Sequence, residues 1–396
     1  MSVRLPLLSL ACLLGACGSQ ADPLADDGAP ATDSEEGEVT GESDTSTEPE
    51  EPPTVWERSF TVSERGRVRD LDVAANGDIV LVQYHEGEEG GLAAEAHGLD
   101  EDGNLRWSSD LDIVPEKLCV TASGISYLLG APWSESGVVQ DLHLQQLDAS
   151  GALVWDRLVA PELTPVTQLA GIECRDGDDA VLVIGTTSDG SDYLVLHDAA
   201  GIEVSRETDV FGGTPTESLN SIALREDGYL LVGGAQDAGT HLESTVNYLG
   251  PGGALSLRYP IEGVLAMGPW VASRGDVSAI ATMQVIDGNY RLTVNGLGDH
   301  QQNQALWSNA ELAGTPNAVA RALTIGSDGR VHVTVPNDEG SLLLVSYPGT
   351  ALGELTTLRS RDDETAEPST LGIGRGGEIL VGGHINGIPW IAAYDL

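Results

Sequence analysis

Apolar and polar residues alternate in short runs along most of this chain, and Gly/Asp clusters interrupt the runs at close intervals. Glu217–Arg258 shows the pattern most fully: an alternating run, a Glu-Asp-Gly turn, Leu-Leu-Val-Gly-Gly, a second alternating run, a Gly-Gly turn and Leu-Ser-Leu. A period of two broken by turn residues describes a meander of four short antiparallel strands. The same pattern recurs in worn form along the rest of the chain, which therefore reads as repeats of one small antiparallel sheet.

Two anchors recur in each repeat. The first is a turn glycine opening a strand, as in Asn76-Gly77-Asp78-Ile79-Val80, Asp227-Gly228-Tyr229-Leu230-Leu231, Asp328-Gly329-Arg330-Val331 and Gly377-Glu378-Ile379-Leu380. Gly124, Gly177 and Gly275 head weaker copies. The second is a Gly-x-x-x-Trp turn and strand, Gly103 to Trp107 and Gly151 to Trp155, worn down to Gly201–Ser205, Gly253–Leu257, Asn303–Trp307 and Gly353–Thr357. Positions 103, 151, 201, 253, 303 and 353 give spacings of 48, 50, 52, 50 and 50 residues, the length of a four-stranded propeller blade.

The two ends set the blade count. Ser369–Leu396 has room for three strands, and Pro53–Phe60 is an orphan strand whose Trp56 matches Trp107 and Trp155. Placed as the outer strand of the last sheet, the orphan completes a seven-bladed, all-β propeller over residues 54–396 and leaves no open sheet edge. The tryptophans are then expected to pack between neighbouring blades.

Composition changes the picture mainly through charge. The chain has 396 residues, 62 Asp and Glu against 19 Lys and Arg, and a formal net charge of −43, which excludes binding to a phosphate backbone. Lys117 is the single lysine. Residues 21–53 hold twelve of the acids and no basic residue, so a disordered, self-repelling tether is expected there.

Met1–Ala16 has one basic residue, Arg4, ahead of the apolar run Leu5–Leu14, the form of a signal peptide too short to span a bilayer. It ends Leu14-Gly15-Ala16-Cys17, which resembles the lipobox of bacterial lipoproteins. That resemblance implies a diacylated Cys17 at the mature N-terminus, palmitate among the chains, and a stable membrane anchor. Gly18 follows where an aspartate would favour inner-membrane retention, so the resemblance implies the outer membrane, with the body periplasmic or surface-exposed.

The body resembles known repeats as well. Gln146-Leu147-Asp148-Ala149-Ser150-Gly151-Ala152-Leu153-Val154-Trp155 looks like the outer-strand signature of bacterial β-propeller repeat lipoproteins of the myxobacterial type. Ala223–Gly234, reading ALREDGYLLVGG, is similar to the delta-60 propeller repeat, and some tryptophan turns resemble quinoprotein-like repeats. These resemblances imply a fold and no particular chemistry.

Candidate chemistry is sparse. Gly372-Ile373-Gly374-Arg375-Gly376-Gly377 matches a dinucleotide fingerprint, but a strand follows where a helix is required, so a hairpin turn is expected. Asp100-Glu101-Asp102-Gly103-Asn104 sets oxygens at alternate positions as a calcium loop does, yet Leu105 stands where that loop needs glycine; an acidic turn is expected, with calcium the alternative. The histidines are scattered singly; His143 and His197 fall at nearly matching places in consecutive repeats, which a shared slot in the fold explains better than a metal site.

Cys119 and Cys174 leave two readings, a disulfide in an oxidising compartment or two buried thiols. They stand eleven residues before Gly130 and Gly185, and equivalent positions on neighbouring sheets point the same way, which favours thiols.

The expectation is a non-enzymatic, monomeric binding or scaffolding module without a cofactor. It would meet the membrane through its lipid and a protein or glycan through its loops. The alternatives are an extracytoplasmic propeller enzyme, quinoprotein-like or polysaccharide-acting, and an outer-membrane assembly subunit.

Overall fold

The computed structural model describes residues 51–396 apart from 63–64, 88–90, 134–141, 160–165, 176, 188–190, 209, 212–215, 238, 262–263, 287–288, 299–304, 312–321, 337–341, 349–353 and 360–364. The leader Met1–Ala16, the lipidation candidate Cys17 and the acidic segment as far as residue 50 lie outside the described residues.

The alternating runs form strands that group into seven four-stranded antiparallel sheets. Six sheets are simple meanders, spanning residues 66–111, 114–158, 166–208, 216–261, 264–311 and 322–359, here called blades 1 to 6. Blade 7 takes three strands from residues 366–394 and its outermost strand, Thr54–Ser59, from the other end of the chain. Trp56 lies opposite Ala393 and Ser59 opposite Trp390 in that antiparallel pair. The N-terminal strand therefore closes the last sheet, and the propeller is seven-bladed as the repeat spacing predicts.

The first strand of each blade is its inner strand: Gly66–Val73, Val114–Val120, Val166–Arg175, Thr216–Leu224, Val264–Arg274, Ala322–Ile325 and Ala366–Ile373. Each touches the inner strand of the next blade, and the seventh touches the first, so the circle is complete. Alternation on the strands sends apolar side chains to both faces of each sheet, and the core is a set of clusters between blades rather than one central mass.

The turn glycines adopt the left-handed conformation that closes a three-residue hairpin loop. At Gly103 (φ 76°), Gly151 (81°) and Gly201 (73°), the glycine N–H donates to the residue three positions earlier, Asp100, Asp148 and Asp198. The Gly374–Gly377 turn closes in the same way: Gly377 N–H donates to the Gly374 carbonyl and Gly374 N–H to that of Glu378. The fingerprint-like glycines are thus a hairpin turn.

Cys119 and Cys174 form a disulfide across blades 2 and 3, with Cα atoms 5.6 Å apart, which corrects the thiol expectation. Cys119 lies opposite Tyr127, three residues before Gly130; the residue three before Gly185 is Leu182, and it lies opposite Glu173, not Cys174. The hairpin after Cys174 is one residue shorter, so Cys174 sits one step out of register and on the opposite face of its sheet. The two sulfurs consequently face each other within one interblade cluster. His143 and His197 also differ in register, His143 lying opposite Gly130 and His197 opposite Val181, so they do not share a slot.

Candidate functional site

The inner strands surround a central channel. At one end it opens into a mouth of about 1180 Å³ lined by residues from all seven blades, among them Asp72, Cys119, Glu173, Arg225, Arg274 and Arg375. A narrower space of about 210 Å³ continues from it, bordered by Asp70, Lys117, Glu173, Ser221, Trp270 and Thr370. The inner strands supply most of both linings, and the mouth widens over blade 3 to Leu194, Ser205 and Glu207 and to the hairpin at residues 251–253 of blade 4, so the site is built where the fold itself converges.

Most polar groups on the wall are occupied in joining one blade to the next. Asp70 Oδ2 accepts from the amide of Leu118 (3.0 Å) and Asp72 Oδ2 from that of Val120 (2.7 Å), tying blade 1 to blade 2. Arg69 and Glu116 pair at the same joint. The disulfide joins blades 2 and 3. Glu173 is hydrogen-bonded by the backbone of Leu224 across blades 3 and 4. Ser221 Oγ accepts from the Val271 amide (2.8 Å) across blades 4 and 5, and Arg274 Nη1 reaches the Ile325 carbonyl (3.4 Å) across blades 5 and 6. Thr370 Oγ1 donates to Asp70 Oδ1 (3.0 Å), joining blade 7 to blade 1. An inner strand has one edge without a neighbour, and these side chains satisfy the backbone groups left there.

Two groups on the wall keep capacity beyond these joints: Glu173, whose carboxyl has two oxygens and one bond from Leu224, and Lys117. The Glu173 side chain is partly buried and lines both spaces. Burial, then the carboxylates of Asp72 and Asp70 across the channel, push its pKa up to about 8, so it carries a proton at neutral pH. Lys117 points into the same space, and no hydrogen bond or ion pair joins it to a described residue.

Four arginines rim the mouth. Arg175 pairs with Asp178 on its own turn, and Arg225 with Asp227 while also donating to Ser278 Oγ (2.8 Å). Arg274 holds the carbonyl noted above, and Arg375 Nη1 reaches the Asn76 carbonyl at 3.3 Å. Each takes a place at or just beyond the end of its inner strand, so the basic rim follows from the repeat register.

The acidic turn at Asp100 serves the backbone. Its Oδ1 accepts from the amides of Asp102 (3.1 Å) and Asn104 (2.8 Å), and these bonds, that of Asn104 foremost, hold the carboxyl below the usual range. No cluster of three or more metal-ligating side chains occurs among the described residues. Glu173 and Lys117 escaped the reading of the sequence because their neighbours come from other blades. The signal for Glu173 was an acid directly after the uncharged run Leu169-Ala170-Gly171-Ile172, and for Lys117 its being the chain's single lysine.

No protein-family model and no curated protein matches the chain. Solved structures do. The β-propeller domain of the Trilobed protease from Pyrococcus furiosus, described as having an open velcro topology, is 9% identical with a TM-score of 0.52, over 82% of this chain and 91% of that one. A chain of the Mitotic Checkpoint Complex is 10% identical with a TM-score of 0.52, over 92% and 99%. BamB from Moraxella catarrhalis is 12% identical with a TM-score of 0.42, over 87% and 100%. At these identities the likeness is one of fold.

Proposed function

We propose that this chain is an exported, lipid-anchored propeller that binds a ligand in its central channel. The observation that carries the binding role is the open mouth of about 1180 Å³, walled by seven inner strands that side-chain bonds and a disulfide hold in place. A preformed, partly polar recess of that size at the convergence of the blades is where a ligand gains most contact for least ordering. The disulfide supports export, because such bonds persist in oxidising compartments. Leu14-Gly15-Ala16-Cys17 supports an acylated anchor, and Gly18 supports sorting to the outer membrane.

Native mass spectrometry of the protein purified from its own cells tests the binding role. Ala75→Trp with Gly252→Trp fills the mouth at two lining positions, and a Cβ at Gly252 meets nothing within 4 Å. Small-molecule adducts on the wild type that the filled variant lacks are the expected result; identical spectra contradict channel binding. Uptake of labelled fatty acid, lost in Cys17→Ala, tests the anchor separately.

A further inference from the structure

We infer that the inner part of the channel binds a small organic carboxylate, with the Lys117 ammonium and the Glu173 carboxyl as donors to its oxygens and Trp270 against its apolar body. This rests on the channel being the binding site and specifies what the site takes.

The distribution of charge points this way. The two connected spaces are lined by Lys117, Arg175, Arg225, Arg274 and Arg375, five of only 19 basic residues in the chain. Five of 62 acids line them, Asp70, Asp72, Glu173, Glu207 and Glu226. Basic and acidic side chains are thus equal in number around this recess, against about one to three over the whole chain, so an approaching anion meets far less repulsion there than elsewhere on a strongly acidic protein.

Unspent hydrogen-bonding capacity narrows the choice. Asp70 accepts from the amides of Leu71 and Leu118 and from Thr370 Oγ1, and Asp72 from the amides of Val73 and Val120, so these carboxylates are committed to the wall. Ser221 both accepts from Val271 and donates to the Pro269 carbonyl. What remains free is donor capacity: the three N–H bonds of Lys117 and the O–H of a protonated Glu173. A partly buried ammonium with no hydrogen-bond partner gains from an anion, and a neutral carboxylic acid beside it donates to the same oxygens. Leu118, Ile172, Ile222 and Trp270 supply the apolar remainder of a space of about 210 Å³, the size of a ligand with one ring.

Glu173 also makes binding depend on pH. Asp70 and Asp72 face it from blade 1, Lys117 from blade 2, and the Leu224 backbone from blade 4. Above about 8 its proton is lost, the donor becomes a third carboxylate, and the ligand is repelled.

Because Lys117 is the single lysine, an amine-selective acylating reagent read by peptide mass spectrometry reports on this one side chain apart from the chain's own N-terminus. The full-length protein is treated with its disulfide intact in the presence of benzoate, benzylamine or benzyl alcohol. Saturating benzoate is expected to slow acylation of Lys117 about tenfold or more, with the other two without effect. In calorimetry Lys117→Met loses benzoate binding. Glu173→Gln, which keeps a donor, retains it and no longer loses affinity as the pH rises past about 8. Protection by benzylamine or benzyl alcohol in place of benzoate overturns the assignment and leaves channel binding standing. Acylation unchanged by all three overturns it as well, and the adduct spectra of wild-type and filled proteins then judge channel binding on their own.

Discussion

The indole of Trp56 lies where a Cβ on Gly103 would be, 2.5 Å from that point, and its Nε1 donates to the Glu101 carbonyl at 3.0 Å. The tryptophan belongs to the outer strand of blade 7 and the glycine to the outer hairpin of blade 1. The same fit recurs between Trp107 and Gly151 and between Trp155 and Gly201, each a tryptophan against the glycine turn of the following blade. At Gly253 the place of the ring is taken by Leu194 and Glu207. The repeat motif is therefore a lock between neighbours: glycine serves both a left-handed turn and a surface flat enough to receive the ring.

Gly103→Ala combines a left-handed alanine with a collision against Trp56, and is expected to cost about 2–4 kcal/mol in urea unfolding. Gly239→Ala has the same backbone penalty, at φ 87°, but nothing within 4 Å of the added carbon, and should cost about 1–2 kcal/mol. Equal losses at the two sites would deny the interblade lock.

The period of the chain and its missing final strand made the ring legible, because both depend on local turn chemistry and on counting. Trp56 could be matched to Trp107 and Trp155 on spacing alone. The partner of each indole was not legible: Gly103 and Trp107 stand in one motif, yet the glycine receives Trp56 and the tryptophan reaches Gly151. The disulfide was misread for a different reason. A hairpin shorter by one residue moves Cys174 to the other face, and a spacing counted from Gly185 does not register that shift. The channel was the least legible part, since Asp70, Lys117, Glu173 and Trp270 come from four blades and form no local pattern.

Replacing Cys119 and Cys174 by alanine removes a link that closes 55 residues of chain, and should lower stability by about 2–4 kcal/mol. Reduction of the wild type should produce the same loss and leave the double variant unaffected. Iodoacetamide labelling of Cys119 and Cys174 in the unreduced, unfolded wild type would show that the bond is absent.

Stability should depend on Glu173 with a definite sign. The unfolded carboxyl loses its proton near 4.5 and the folded one near 8, so between these values the folded state binds the extra proton and stability declines as pH rises. The decline is at most about 1.4 kcal/mol per pH unit for one proton. Glu173→Gln should remove that component across the window, measured by urea midpoints at a series of pH values; a variant with the wild-type slope would contradict it.

His332 acts in the opposite direction. Burial lowers its pKa from 6.5 to about 4, and its Nδ1 is 2.9 Å from Ser346 Oγ. The unfolded imidazole takes up a proton first, so stability is full above 6.5 and is lost as the pH falls toward 4. His332→Gln should lessen the acid-side loss in the same urea series, and an unchanged acid limb would show that His332 is not buried as described.

The central claim is that the strand Thr54–Ser59 closes the ring by pairing with Ile388–Tyr394, and hydrogen exchange on the full-length chain tests it most directly. Peptides covering these two strands should be protected together, and a chain beginning at Phe60 should lose protection at Ile388–Tyr394. Exchange across Thr54–Ser59 at the rate of unstructured chain, with Ile388–Tyr394 still protected, would contradict the closure.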